Sequence, residues 1–330
     1  MRVNFPGLVD LQVNGFAGVD FNSPDCAGEP VARALAAMRA TGVTRCLPTV
    51  ITSSTSHFVA CARALLEDNH PAIAGLHMEG PYISPLDGPR GAHPLAHVAP
   101  ASVDDFKRRQ DAAGGKIVLV TLAPEVPGAF TLIEYLAEQG ICIALGHTAA
   151  TATQIADAVR AGARMSTHLG NGCAGRMHRH ENVFWPQLAA DELTAGLIVD
   201  GHHLPREVVR AMVKAKGLSR VVLVTDAVNA AASPPGRYKL GELEVEREPS
   251  GRVTQVDAGN LAGSSLTLDD AIGRTADYCQ LTLDEVLPLA STQPAALIGI
   301  KPAGRVEADW DPVAHRLVIE RVVEDETNAG

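Results

Sequence analysis

Four side chains able to hold a metal ion or move a proton sit at the ends of four separate apolar runs. Glu79 follows the run in IAGLHMEG, His147 lies in IALGHT, His168 in RMSTHL, and Asp226 in RVVLVTDAV. One carboxylate and two imidazoles are the ligand types of a catalytic zinc site, which keeps a fourth position for water. A second carboxylate beside them can take a proton from that water and return it to a leaving amine. Any one of these histidines alone reads as an ordinary buried or surface residue, and Asp226 alone as a helix cap. Their shared position at strand ends is what points to metal-dependent hydrolysis, and Gly80, Gly146 and Gly170 beside them permit close backbone approach.

The elements that must position these residues alternate along the chain. Strand-like runs cover Leu8 to Val13, Val43 to Ile51, Ile73 to Met78, Lys116 to Leu122, Ile141 to Leu145, Met165 to His168, Ala195 to Val199 and Arg220 to Thr225. Between them, PVARALAAMRATG, SHFVACARALLED, TLIEYLAEQG, TATQIADAVRAG and REVVRAMVKAKG place apolar residues at helical spacing, several with Gly near the end. Such alternation predicts an α/β fold, a (β/α)8 TIM-type barrel over residues 5–300, whose strand ends converge on one catalytic face. An open doubly wound sheet is the alternative, but GxxxxGK[ST] is missing. Residues 237–256 alternate around a Pro-Ser-Gly turn and read as a β-hairpin insertion. With a β segment in 301–330, which ends in an acidic tail, this hairpin is expected to form a reduced accessory β-domain.

Composition narrows the class of partner. The 330 residues are 46% hydrophobic and 20% charged, enough for a large core, and the net charge of −10 with no basic run argues against nucleic acid or an anionic membrane surface. No apolar stretch reaches the length of a membrane span, and MRVNFPGLVD lacks the regions of a signal peptide. Six cysteines without a CxxC pair fit reduced thiols, so the expected location is cytoplasmic. On the first strand Asp10, Gln12 and Asn14 face one side. The two amides are weak ligands beside imidazole and would hold substrate or water, or hydrogen-bond within the barrel mouth. His77 shares a face with Glu79, with barrel packing as its expected role.

At PGLVDLQVNGFAGVDFN, GLHMEGPYISPLDGPRGAHP, LAPE, ALGHT, THLGNG, DGHH, LVTDAV and LAGSSLTLDDAI, in that order, the chain resembles the N-acetylglucosamine-6-phosphate deacetylase family of the amidohydrolase superfamily. The resemblance implies a (β/α)8 barrel, usually dimeric, that cleaves the acetamide of an N-acetylamino sugar phosphate. It implies one divalent metal on Glu79, His147 and His168, with zinc the first choice and Fe2+, Mn2+ or Co2+ also accepted. Asp226 would be the acid/base group and His93 a donor to the developing oxyanion. His203, Asn171 and Gly172 would meet the sugar or its phosphate. Gln12 and Asn14 stand where many superfamily members carry His-x-His and hold a second metal.

Departures bear on the substrate. The family usually reads HLFNAM or HLYNAM where this chain has HLGNGC, and its Arg-Glu-Pro-Gly appears here as Arg179-His180-Glu181-Asn182. Counting eight on from Asn171 reaches Arg179, where the family's phosphate-binding arginine, supplied to the neighbouring subunit, would fall. Arg179 is thus the expected phosphate contact, or else part of a solvated basic loop with Arg176, His178 and His180. Hydrolysis of a different N-acyl or cyclic amide is the alternative activity, and a non-catalytic sugar-phosphate sensor is the reading from another class.

Overall fold

The computed structural model describes residues 1–324, so the end of the expected acidic tail lies outside the described residues. Eight parallel strands follow one another in a single sheet. They are β1 (Leu8–Val13), β2 (Val43–Ile51), β3 (Leu76–Glu79), β4 (Ile117–Leu122), β5 (Cys142–Leu145), β6 (Met165–Ser166), β7 (Thr194–Leu197) and β8 (Val221–Leu223). Helices α1 (Glu29–Ala40), α2 (Thr55–Leu66), α3 (Val103–Ala112), α4 (Ala129–Glu138), α5 (Ala152–Ala161), α6 (Phe184–Ala189), α7 (Arg206–Lys216) and α8 (Leu268–Cys279) surround it. This is the expected (β/α)8 barrel, with several strands shorter than the apolar runs that marked them.

Local sequence explains why the helices start and pack where they do. Ser54 caps α2 by accepting from His57 N at 3.2 Å, and Phe58, Cys61, Ala62 and Leu65 then fall on its buried side at helical spacing. Helix α5 begins with a reciprocal capping box between Thr151 and Gln154 and ends at Gly162. Inside the barrel the apolar filling is broken by one polar chain. His77 Nε2 meets Thr121 Oγ1 at 2.8 Å, His77 Nδ1 meets Thr49 Oγ1 at 3.1 Å, and Thr121 meets Thr167 at 2.6 Å. Burial pushes the His77 pKa down to about 4, so it packs as a neutral, fully bonded imidazole, as expected.

Closure between β1 and β8 takes place beyond the end of β8. Val13 and Ala227 form a parallel bridge, Asn14 N donates to Ala227 O at 2.7 Å, and Asp226 N donates to Gln12 O at 2.9 Å. Asp10 adds a side-chain staple: Oδ2 accepts from Thr225 Oγ1 at 2.5 Å, and Oδ1 accepts from Gln12 N at 3.2 Å and Thr225 N at 3.3 Å. Burial raises the Asp10 pKa to about 7, against the lowering effect of those bonds. The seam thereby fixes the backbone on either side of Asp226.

The accessory strands form two sheets where one was expected. Arg305–Asp311 and Arg316–Val323 pair antiparallel with an N-terminal strand, Arg2–Pro6, which the sequence did not single out. Gly236–Leu240, Leu243–Arg247 and Val253–Gln255 make a separate antiparallel sheet. Its first turn is tied to the barrel by Gly241 N, which donates to Asp20 Oδ2 at 2.7 Å. The insertion therefore stays at the mouth of the barrel instead of joining the tail.

Asp10→Ala leaves the backbone N–H groups of Gln12 and Thr225 short of a side-chain acceptor, while the Thr225 hydroxyl keeps Gln12 O, and at 1–3 kcal/mol for an unsatisfied buried group it should cost about 3 kcal/mol in a urea titration. A loss below about 0.5 kcal/mol, the scale of a neutral surface substitution, would mean that backbone bonds alone hold the seam.

Candidate active site

Glu79, His147 and His168 converge at the C-terminal ends of β3, β5 and β6, all three buried, with one ligand atom from each within 4.8 Å of the others. Glu79 Oε1 lies 3.2 Å from both His147 Nε2 and His168 Nε2, and the two nitrogens are 3.0 Å apart. Pro89 O, which only accepts, lies 3.0 Å from His147 Nδ1 and so places the proton there, leaving the Nε2 lone pair on the cluster. At His168 burial lowers the pKa, but the hydrogen bond and charge of Glu79 outweigh burial and raise it. The same two imidazoles outweigh burial at Glu79 and hold its carboxyl well below its usual value. A carboxylate and two imidazole nitrogens facing one point, where a proton otherwise sits, fit a divalent cation that replaces that proton.

Strained backbone aims these groups. His147 (φ 52°), His168 (φ 29°) and Asp226 (φ 51°) all lie in the left-handed region, which L-residues occupy at a cost of roughly 1–3 kcal/mol each. Each is locked by bonds to its carbonyl. Ser84 N donates to His147 O at 2.9 Å, Asn171 N to His168 O at 2.9 Å, and Ser264 N to Asp226 O at 2.8 Å. Gly172 packs bare backbone on both ligand rings, since a Cβ there would sit 3.0 Å from His147 Nδ1 and 3.1 Å from His168 Cε1.

Asp226 stands beside the cluster without joining it. Asn14 Nδ2 donates to its Oδ1 at 2.7 Å, and Gln12 Nε2 bridges Asp226 Oδ1 (3.1 Å) and Glu79 Oε1 (3.0 Å). Among the described residues nothing donates to Oδ2. Burial first, then the Glu79 charge, push the Asp226 pKa up to about 6. Of the two alternatives for the strand-one amides, the geometry favours bonding within the mouth. Gln12 is not among the cavity-lining residues, whereas Asn14 is.

The cluster opens on a cavity of about 600 Å³ that Asn14, His93, Asn171, Gly172, His203 and Asp226 also line. His93 Nδ1 lies 2.8 Å from Thr52 Oγ1 and accepts from Thr52 N at 3.4 Å. A backbone N–H can only donate, so the His93 proton is on Nε2, and burial pushes its pKa well down, making it an uncharged donor. His203 Nδ1 is held by Asp200 Oδ2 at 2.7 Å. Burial raises the Asp200 carboxyl, but bonds and charge from His203, with the His202 and His203 amides, outweigh this and bring it to about 2. Arg179 does not line the cavity: it is exposed, and its carbonyl accepts from Trp185 Nε1 at 2.8 Å.

Several contributors were not anticipated. Thr52 follows β2, a strand end to which no chemistry had been assigned, and the convergence of strand ends is the signal that could have found it. Arg90 lines the cavity three residues before His93 within GPRGAHP, and a basic residue that near a site histidine was a usable signal. Leu240, Gln255 and Asn260 reach the cavity from the inserted sheet, and nothing in their spacing announces it.

A metal-dependent hydrolase on a barrel scaffold is the class these features define. The amidohydrolase family model matches residues 3–314. An N-acetylglucosamine-6-phosphate deacetylase of Lysinibacillus sphaericus is 31% identical over 311 residues, 93% of this chain and 79% of that protein. An N-acetylgalactosamine-6-phosphate deacetylase of Escherichia coli O157:H7 is 33% identical over 304 residues, 89% of this chain and 78% of that protein. Among solved structures, the N-acetyl-D-glucosamine-6-phosphate deacetylase of Mycobacterium smegmatis, as an aspartate-to-alanine variant in complex with N-acetyl-D-glucosamine-6-phosphate, gives a TM-score of 0.90 at 28% identity, covering 98% of this chain and 86% of that chain. The chain belongs to the N-acetylglucosamine-6-phosphate deacetylase family of amidohydrolases.

No helix among the described residues is long and apolar enough to cross a membrane, and all six cysteines are free.

Metal-stripped protein titrated with Zn2+ should take up about one ion per chain and melt at a higher temperature as it does, because an ion that binds only the folded state stabilises it. Glu79→Gln should abolish both effects, and a Glu79→Gln protein that still binds one ion tightly would remove Glu79 from the ligand set.

Proposed function

We propose that the protein hydrolyses the acetamide of N-acetylglucosamine 6-phosphate, giving glucosamine 6-phosphate and acetate. The observation that carries this reading is that the three-ligand cluster, the Asp226 carboxylate and the His93 Nε2 donor open onto one cavity in a chain whose curated relatives deacetylate amino-sugar phosphates. Zinc is the favoured ion for a set of two imidazoles and one carboxylate. A divalent ion held there supplies Lewis-acid polarisation and lowers the proton affinity of water.

The chain's own groups perform the remaining steps. Asp226, ionised above its pKa of about 6, takes the proton from the attacking water as the new C–O bond forms. The acetamide oxygen becomes an oxyanion and accepts from His93 Nε2–H, a neutral donor already fixed by Thr52. Asp226 then returns its proton to the amine nitrogen as the C–N bond breaks, and acetate leaves with the water's oxygen. Asn14 and Gln12 hold the carboxylate in place through both transfers, while His203 and Asn171 stand at the wall for the sugar. The C4-epimeric N-acetylgalactosamine 6-phosphate is a second reading, favoured by the comparable identity to an enzyme named for it.

The test is amine release from a panel of N-acetylglucosamine 6-phosphate, N-acetylgalactosamine 6-phosphate, their unphosphorylated sugars and an N-acetylamino acid. The first should be turned over with the highest kcat/KM. Preference for the galactosamine phosphate would establish the second reading, and preference for the amino acid would end both. On the preferred substrate Asp226→Asn should lower kcat by about 10²- to 10⁴-fold with its metal content intact. An Asp226→Asn enzyme retaining most of its turnover would leave that aspartate a purely structural role.

A further inference from the structure

We infer that Arg90 is the cation that selects a phosphorylated substrate, by exchanging its pairing with Asp87 for the substrate phosphate. This deepens the reading above and rests on it. A chain of net charge −10 repels a phosphomonoester unless a local cation holds it, and the cavity also presents the carboxylates of Glu79, Asp87 and Asp226. Of the described residues that line the cavity, Arg90 is the only arginine or lysine.

The guanidinium is committed on one side and weakly held on the other. Nη1 donates to His93 O at 2.9 Å, which fixes the plane of the group. Nη2 pairs with Asp87 Oδ1, and Nε is buried without a hydrogen-bond partner among the described residues. Nε and Nη2 share the edge of the guanidinium that presents two parallel N–H groups, the fork that two phosphate oxygens accept together. One prong of this fork is thus unpaired and the other holds a partner that is easily displaced. The Asp87 side chain is 94% exposed against 19% for Arg90, and an ion pair whose anion lies in water is screened and weak. A dianionic phosphate satisfies both prongs at once.

The loop carrying Arg90 is rigidly held against the catalytic groups. Arg90 N donates to Leu86 O at 2.9 Å, Gly91 N donates to Gly88 O at 3.0 Å, and Pro89 O receives the proton of His147 Nδ1. The fork is therefore positioned before substrate arrives, which lowers the ordering cost of binding.

The experiment compares ion-loaded wild type, Arg90→Ala, Arg179→Ala and Asp87→Asn on N-acetylglucosamine 6-phosphate and N-acetylglucosamine, with inorganic phosphate as an inhibitor of the unphosphorylated reaction. The readout is the ratio of kcat/KM values, because loss of the Nη1 tether to His93 O slows both substrates alike. Arg90→Ala should shrink the preference for the phosphate by about 10- to 100-fold, the scale of hydrogen bonds to a charged group. Arg179→Ala should preserve that preference, and Asp87→Asn should lower the inhibition constant for inorganic phosphate. If Arg90→Ala depresses both substrates equally, Arg90 serves only to position His93 and the assignment is overturned. It is equally overturned if Arg179→Ala removes the preference, and an unchanged inhibition constant in Asp87→Asn refutes the exchange. A wild type indifferent to the phosphate defeats the substrate reading and this assignment together, whereas a preference insensitive to Arg90 defeats this assignment alone.

Discussion

Glu79 Oε1 sits 3.2 Å from two imidazole nitrogens at a buried point, and one of those nitrogens, His147 Nε2, has only a lone pair to offer because Pro89 O fixes the ring's proton on the other side. A buried carboxylate is tolerated only when it is paired and hydrogen-bonded. Opposed lone pairs make that pairing impossible without a positive charge at the point where they meet. A proton on His168 meets the need minimally, and a divalent cation meets it with all three donors at once. The strained backbone at His147 and His168 and the bare backbone of Gly172 are features of the fold that hold this convergence against its own repulsion.

The second carboxylate raises the same electrostatic problem, and strand β1 resolves it. Gln12 offers both protons of one amide to Glu79 and Asp226, separating two acids that would otherwise repel, while Asn14 steadies Asp226 from the side. An imidazole at either position would offer a metal ligand, whereas an amide offers Asp226 a hydrogen bond. Because Asp226 lies within the β1–β8 seam, the Asp10–Thr225 staple that closes the barrel also fixes where the proposed acid/base group points. On the proposed function, stability and catalysis are coupled at this seam, which is why a residue without direct access to substrate matters to the site.

Much of this was legible in the sequence because a barrel converts one-dimensional order into convergence: residues at successive strand ends must meet, so Glu79, His147, His168 and Asp226 could be grouped before any coordinates. Direction and partner choice were less accessible. Gln12 and Asn14 were placed on the correct face, but that one amide would bridge two carboxylates depends on the separation of Glu79 and Asp226, which the sequence does not encode locally. Arg90 reaches the cavity from a loop, so the convergence of strand ends does not mark it as it marks the other four. The N-terminal strand Arg2–Pro6 escaped notice because its partner, Arg305–Asp311, lies at the far end of the chain.

The central claim is that a single cation is held by Glu79, His147 and His168 while Asp226 stays free for proton transfer. Anomalous scattering from zinc-loaded crystals, recorded at the zinc edge, tests it most directly. The account predicts one peak per chain, about 2.0–2.2 Å from Glu79 Oε1, His147 Nε2 and His168 Nε2, with Gln12 and Asp226 outside bonding distance. A second peak bridged by Asp226 near Gln12, or a single peak with Asp226 as a ligand, would contradict it.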